Sequence, residues 1–261
     1  MLNLSHINTF LLDMDGTIYL GDALVEGAAD FLAHIKRAGK RYIFVTNNSS
    51  KNRFDYVTKL SKLGINISPD EIVTSGEASA AFLAQKYAGG SGFILGTASL
   101  ISEFKDRKVT LISDTDDKAD FVLLGFDITI TYDKIWKACD YIRMGVPFYA
   151  THGDLNCPMP NNGLMPDTGA MIKMFEAATG VSPNIIGKPY APIFSFIKQK
   201  FNFTNDTAAM IGDRTDTDVL LGQNNDVMSV LVLSGATDIE AYKKSGINAN
   251  FVIDSVKDIM V

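Results

Sequence analysis

The stretch FLLDMDGTIYLG, Phe10–Gly21, ends an apolar run in two aspartates, Asp13 and Asp15, followed by Gly16. Like charges so close repel, so a chain that keeps both needs something to compensate them. A carboxylate can attack an electrophile, relay a proton or bind a hard metal ion. Side chains two residues apart on extended backbone point the same way, so Asp13 and Asp15 are expected to leave the strand on one side, with Gly16 permitting a tight departure. Taken alone, D-x-D-G more often marks a strand-terminating turn. An EF-hand is excluded, because Leu24 stands where that loop needs its twelfth-position Glu.

Three further clusters carry polar groups of suitable kind. Thr46-Asn47-Asn48-Ser49-Ser50 follows RYIFV. Thr46 at the strand end can hydrogen-bond an anion, while Ser49 or Ser50 reads as the N-cap of the next helix. Lys188 is held between Gly187 and Pro189 after Ile185-Ile186, where it can meet a phosphate; the other residues of a Walker A loop are missing. Gly212-Asp213-Arg214-Thr215-Asp216-Thr217-Asp218 puts three acids within six residues, a pattern that an exposed helix start would also explain.

The elements that must position these residues alternate between strand and helix. Phe10–Leu12, Arg41–Val45 and Glu71–Thr74 read as buried strands, interleaved with helices over Glu26–Ala38 and Lys51–Leu63. The alternation returns at the far end, with strands over Ala208–Ile211, Met228–Leu233 and Phe251–Ile253, and helices over Ala191–Phe201, Asp216–Gly222 and Ile239–Ser245. Apolar strands in βα alternation predict an α/β fold with a Rossmann-like, three-layer parallel-sheet core. Ligands of such sheets sit beyond the carboxyl ends of the strands, where all four clusters fall. The middle has strands and helices of its own, enough for a second, smaller α/β unit. The expected division is a core of residues 1–78 and 183–261 with an insertion at 79–182.

Each cluster has a bland explanation, but their joint occurrence at strand ends does not. Bringing Asp13, Asp15 and Asp213 together raises repulsion that a divalent cation would relieve, and Mg²⁺ takes oxygen ligands and bridges carboxylates to phosphate. The motifs DMDGT, the Thr of FVTNN, the Lys of IGKP and the acids of GDRTDTD occur in the order of the four motifs of the haloacid dehalogenase (HAD) superfamily, which the chain resembles along essentially its whole length. The spacing from TNN to GKP is similar to that of subfamily IIA, with its type C2a cap. ATHGDLNCPMPNNGLMPDTGAM resembles a cap segment of the NagD-like branch.

The resemblance implies a magnesium-dependent phosphatase of small phosphate monoesters (nucleotide, sugar or aryl phosphates) working through an aspartyl-phosphate. It implies Asp13 as nucleophile, Asp15 as general acid and base, and Thr46 and Lys188 as holders of the phosphoryl group. Thr17, Asn47 and Asn48 join Thr46 and Lys188 as substrate-binding candidates. The metal would be held by Asp13, the main-chain carbonyl of Asp15, and Asp213, with Asp218 in support. In the insertion, expected to act as a lid, His152 and Asp154 are candidate substrate contacts in a Pro-rich loop for which a plain surface role stands equally open. A phosphotransferase or mutase on the same fold and a non-enzymatic phospho-acceptor domain are the alternatives.

Composition bounds the rest. A net charge of −6 with no Lys/Arg cluster argues against nucleic acid as a partner. No apolar stretch approaches a membrane span, and the N-terminus lacks a basic leader region, so a cytoplasmic protein acting on a small phosphorylated metabolite is expected. Cys139 aligns with Ile135 and Ile142 as core, and Cys157 lacks the Arg of a tyrosine-phosphatase loop. Three scattered histidines give no zinc constellation. The resemblance adds a homodimer formed through the insertion.

Overall fold

The structure is a computed structural model that describes residues 1–112, 118–159 and 163–261. The chain divides into two compact units, one of Met1–Thr46, Tyr56–Val73 and Lys188–Val261, the other of Asn47–Asp55 and Thr74–Gly187. The second unit is thus wider than the expected insertion, and it takes in the segment after Thr46 as well.

The first unit is built on a six-stranded sheet in the order Phe251–Ile253, Met228–Val232, Ala208–Gly212, Thr9–Leu12, Arg41–Thr46, Ile72–Thr74. Thr9–Leu12 pairs in parallel with Arg41–Phe44 on one side and Ala208–Ile211 on the other. Thr9–Leu12 and Ala208–Gly212 are buried at every position, as expected of strands covered on both faces. Phe10, Phe31, Ile35, Phe44, Leu60, Ile211 and Val230 share the core, with the Phe10 and Phe31 rings edge to face at 6.0 Å.

Strand order places the site. From Thr9–Leu12 the chain steps outward to Arg41–Thr46 and Ile72–Thr74, whereas from Ala208–Gly212 it steps the opposite way. The two central strands therefore flank a topological switch point, where the loops leaving their carboxyl ends part and open a crevice. Asp13 and Asp213 are the first residues beyond those two ends.

The helix expected over Lys51–Leu63 runs from Arg53 to Lys62, and its cap is Asn52 rather than Ser49 or Ser50. Asn52 Oδ1 accepts from the Phe54 and Asp55 amides at 3.0 Å each, and Asp55 answers from the Asn52 amide at 2.9 Å. This reciprocal arrangement satisfies the first-turn donors that a serine would otherwise serve.

The second unit carries a five-stranded sheet in the order Asn184–Ile185, Phe148–Ala150, Phe121–Leu124, Ser91–Leu95, Thr110–Leu111, parallel throughout. Phe93, Leu124, Cys139, Ile142, Phe148 and Phe175 fill its core, so Cys139 is the core residue expected. Two helices escaped the sequence reading, Ser75–Lys86 and Ala98–Asp106, each capped by the Thr before it. The Pro-rich loop is in part an antiparallel pair, Asn156–Met159 with Gly163–Pro166. Pro158 and Pro166 argue against strand in a sequence, but a two-stranded ribbon tolerates them at its edges. Residues 160–162 of the quoted cap-like segment lie outside the described residues. Among the described residues, no helix is long and apolar enough to cross a membrane.

Candidate active site

Lys188, 2% exposed, is the hub of the first unit's switch point. Its ammonium donates to Asp13 Oδ1 at 2.6 Å, to Asp218 Oδ1 at 2.7 Å and to the Val45 carbonyl at 3.0 Å. Three N–H donors meet three acceptors, so the buried charge is fully engaged. Burial alone would lower the Lys188 pKa, yet the carboxylates of Asp13 and Asp218 outweigh it and push the ammonium's pKa up. Lys188 is therefore a fixed cation.

The acids number more than this one cation can balance. Asp13, Asp213 and Asp218 are all buried, and each offers an oxygen lying within 4.8 Å of the other two. Burial raises the pKa of Asp13 well above the carboxylate range; Lys188 opposes the rise, while Asp218 and Asp213 add to it. Burial likewise raises Asp218 against the pull of Lys188. Asp213 is pushed up to about 7, by burial first and then by Asp218, against the Ala236 amide and the charges of Arg214 and Lys188.

Asp213 is held from below and left open at one atom. Its Oδ2 accepts from the Ala236 amide at 2.6 Å, whereas Oδ1 is buried with no hydrogen-bond partner among the described residues. A buried, orphaned carboxylate oxygen is costly unless something meets it. Glycines at 16 and 235 make room for this side chain, since a Cβ at either would overlap its carboxyl group. Gly16 also takes φ +83°, which a side chain would strain.

The run GDRTDTD splits by role. A π-helical turn over Thr215–Val219 brings Asp218 back so that its Oδ2 accepts from the Arg214 amide at 3.2 Å. Asp216, its side chain 61% exposed, points away and pairs with Arg214 at 3.3 Å. The exposed-helix explanation therefore fits only the middle acid.

Asp13 and Asp15 differ in surroundings, the first buried and the second half-exposed. The strand ends at Leu12, and the Thr17 and Ile18 amides fold back onto the Met14 carbonyl, so strand alternation no longer applies. Met14 is fully buried. Asp15 is 48% exposed at its side chain and lies outside the carboxylate cluster. The Tyr19 hydroxyl donates to Asp15 Oδ2 at 2.9 Å, and Lys59 Nζ stands 3.6 Å from Oδ1. Sequence reasoning missed Tyr19, Lys59 and Ala236, none of which belongs to a motif cluster. Thr46 is buried at its strand end, and Thr17 is fully buried with its hydroxyl unpartnered among the described residues.

The remaining candidates lie in the second unit. The Asn47 carboxamide donates to both Asp154 oxygens, at 3.2 and 3.4 Å, and Asn48 Oδ1 accepts from the Ser50 amide and hydroxyl at 2.9 and 2.7 Å. His152 is no surface-loop residue, which corrects that expectation. It is fully buried, with Nδ1 3.0 Å from the Thr151 hydroxyl and Nε2 2.8 Å from Asp167 Oδ1. A substrate contact by His152 would have to break one of these bonds. Ser49 extends the chain to Thr151 Oγ1 at 2.9 Å, a structural duty in place of the expected cap.

Comparison with known proteins agrees with this geometry. Family models for haloacid dehalogenase-like hydrolases and for HAD-hydrolase-like domains match residues 10–110 and 185–259. An acid sugar phosphatase of Staphylococcus saprophyticus is 30% identical over 257 residues, which cover 98% of each chain. The chain belongs to the haloacid dehalogenase-like hydrolases. Among solved HAD structures, a 4-nitrophenylphosphatase from Thermotoga maritima superimposes with a TM-score of 0.92 at 40% identity, covering 97% of this chain and 96% of that one. A protein described as a putative nagD protein gives 0.87 at 41% identity over 94% of each. The expected α/β HAD fold and the NagD-like, HAD-type phosphatase assignment both stand.

Proposed function

We propose that this HAD phosphatase hydrolyses small phosphate monoesters in two displacements at Asp13. In the first, an Asp13 oxygen bonds to phosphorus as the bond to the leaving oxygen breaks, and Asp15 gives that oxygen its proton. In the second, a water oxygen bonds to phosphorus, the bond to Asp13 breaks, and the Asp15 carboxylate takes the water's proton. Lys188 holds Asp13 in place and offsets charge on the transferring group, with Thr46 and Thr17 as hydroxyl donors beside it. The names of the relatives, sugar and 4-nitrophenyl phosphatases, point to sugar and aryl phosphates as substrates. Asn47 and Asn48 remain substrate-binding candidates on their place directly after Thr46.

The observation that carries this reading is the buried trio of Asp13, Asp213 and Asp218 around one ammonium, with an orphan oxygen on Asp213. An all-carboxylate donor set with excess negative charge fits a hard divalent cation, and we assign it Mg²⁺, held by Asp13, Asp213 and the Asp15 carbonyl with Asp218 in support. Such an ion supplies charge neutralisation for the phosphoryl group. Both cysteines remain thiols, which supports a cytoplasmic setting. The test is Asp13→Asn assayed with 4-nitrophenyl phosphate and Mg²⁺. Turnover should vanish, and EDTA should silence the wild type; retained activity in the variant removes the nucleophile assignment.

A further inference from the structure

We propose that Tyr19 and Lys59 are positioning residues that hold the Asp15 carboxyl at the angle needed to protonate the leaving group. The inference rests on the acid/base role given to Asp15 above. Asp15 follows the last strand residue by three positions and stands half-exposed on a turn, so nothing in its own backbone would fix its side chain. A solvated aspartate in such a place samples several rotamers, and only some aim a proton at a bound ester.

Tyr19 removes that freedom. Its ring is fully buried in the first unit's core, which fixes the hydroxyl in space, and that hydroxyl donates to Asp15 Oδ2 at 2.9 Å. The backbone repeats the link, since the Gly16 amide donates to the Tyr19 carbonyl at 2.8 Å and Asp15 bridges to Tyr19. Lys59 completes the clamp from the helix Arg53–Lys62. Its ammonium lies 3.8 Å from the centre of the Tyr19 ring and 3.6 Å from Asp15 Oδ1, so one cation touches both the ring face and the carboxylate. Anchored on Oδ2 by a hydrogen bond and met at Oδ1 only by the looser 3.6 Å ion pair, the carboxyl is fixed in orientation with Oδ1 left for proton transfer. Neither residue touches the carboxylate trio through any hydrogen bond or ion pair found among the described residues, so the clamp serves Asp15.

A positioned general acid matters in proportion to the leaving group's need for a proton. Alkoxide leaving groups need it and 4-nitrophenolate, which departs as a stable anion, needs it little. The experiment compares kcat/KM for an alkyl phosphate, such as glycerol phosphate, and for 4-nitrophenyl phosphate in Tyr19→Phe and Lys59→Met. Tyr19→Phe keeps the buried ring and deletes only the hydroxyl; Lys59→Met acts on a partly exposed side chain. General acid catalysis contributes roughly 10²–10⁴-fold, so partial loss of aim should cut the alkyl substrate about 10–100-fold and the nitrophenyl substrate about 3-fold or less. Equal losses on both substrates, or none, would overturn the proposal, since a general loosening of the fold has no preference for a leaving group. Asp15→Asn separates the two levels of argument. If it too spares the alkyl substrate, the acid/base reading itself fails; if it collapses alkyl turnover while Tyr19→Phe does not, only the clamp is refuted.

Discussion

Asp213→Asn should relieve part of a pH-dependent instability that the metal-free protein carries. The Asp213 carboxyl is 3% exposed and burial pushes its pKa up to about 7. In the unfolded chain the same group titrates near 3.9. Between these values the folded state binds the extra proton, so stability is full below about pH 4 and is lost as pH rises through about 7. The slope reaches at most about 1.36 kcal/mol per pH unit, which over that window gives an upper bound of about 4 kcal/mol. Asp13 and Asp218 share protons with Asp213, so the part removed by one substitution is smaller, about 2 kcal/mol or more. At about 2–4 °C per kcal/mol, that is roughly 4–8 °C in Tm. The assay is thermal unfolding in EDTA from pH 4 to pH 8 for both proteins. The variant should gain on the wild type by that amount as pH rises, and added Mg²⁺ should stabilise the wild type more at pH 8 than at pH 5. Parallel Tm curves would refute the claim that Asp213 holds an uncompensated buried charge.

Lys188→Met leaves Asp13 and Asp218 buried without their cation, and should cost about 3–5 kcal/mol in urea unfolding at pH 7, partly regained at pH 5 as the carboxylates protonate. Asp216→Ala should leave turnover within about 2-fold while Asp218→Ala loses at least about 10²-fold, because only the second acid touches Lys188; steady-state kinetics on the pair decides it. Gly235→Ala puts a methyl group onto the Asp213 carboxyl and should raise the Mg²⁺ concentration for half-maximal activity about 10-fold or more, while a surface change would not. Asn52→Ala should lower stability by about 1 kcal/mol with kcat retained, as loss of a helix cap does.

Residue type and order along the chain made much of the first unit legible. Phe10–Leu12, Tyr42–Val45 and Ala208–Ile211 are continuous apolar runs because both faces of the sheet are covered, so burial writes itself into the sequence. Ser75–Lys86 was illegible for the opposite reason. Its residues Ser75, Gly76, Glu77, Ala78, Ser79 and Ala80 are all buried, so no polar face contrasts with an apolar one and no helical period emerges. The site divides in the same way. Asp13 and Asp213 announce themselves by standing directly at strand ends, and Lys188 and Asp218 by lying in the short loop and turn that follow strands. Tyr19 reads as an ordinary aromatic core residue and Lys59 as an ordinary helix cation, and only their meeting at Asp15 distinguishes them.

The two aspartates that open the motif stand two positions apart in sequence but in different electrostatic surroundings. Asp13 is buried against an ammonium and two further carboxylates, surroundings that orient it and suit the nucleophile proposed for it. Asp15 is half in water, held by the Tyr19 hydroxyl and faced by a second lysine. Two carboxylates in such different environments can take the two roles proposed for them, nucleophile and acid/base, at the same pH. The turn after Leu12 is what separates them. The glycine at 16, with its positive φ and its contact with Asp213, makes that turn possible and admits the third carboxylate in the same step.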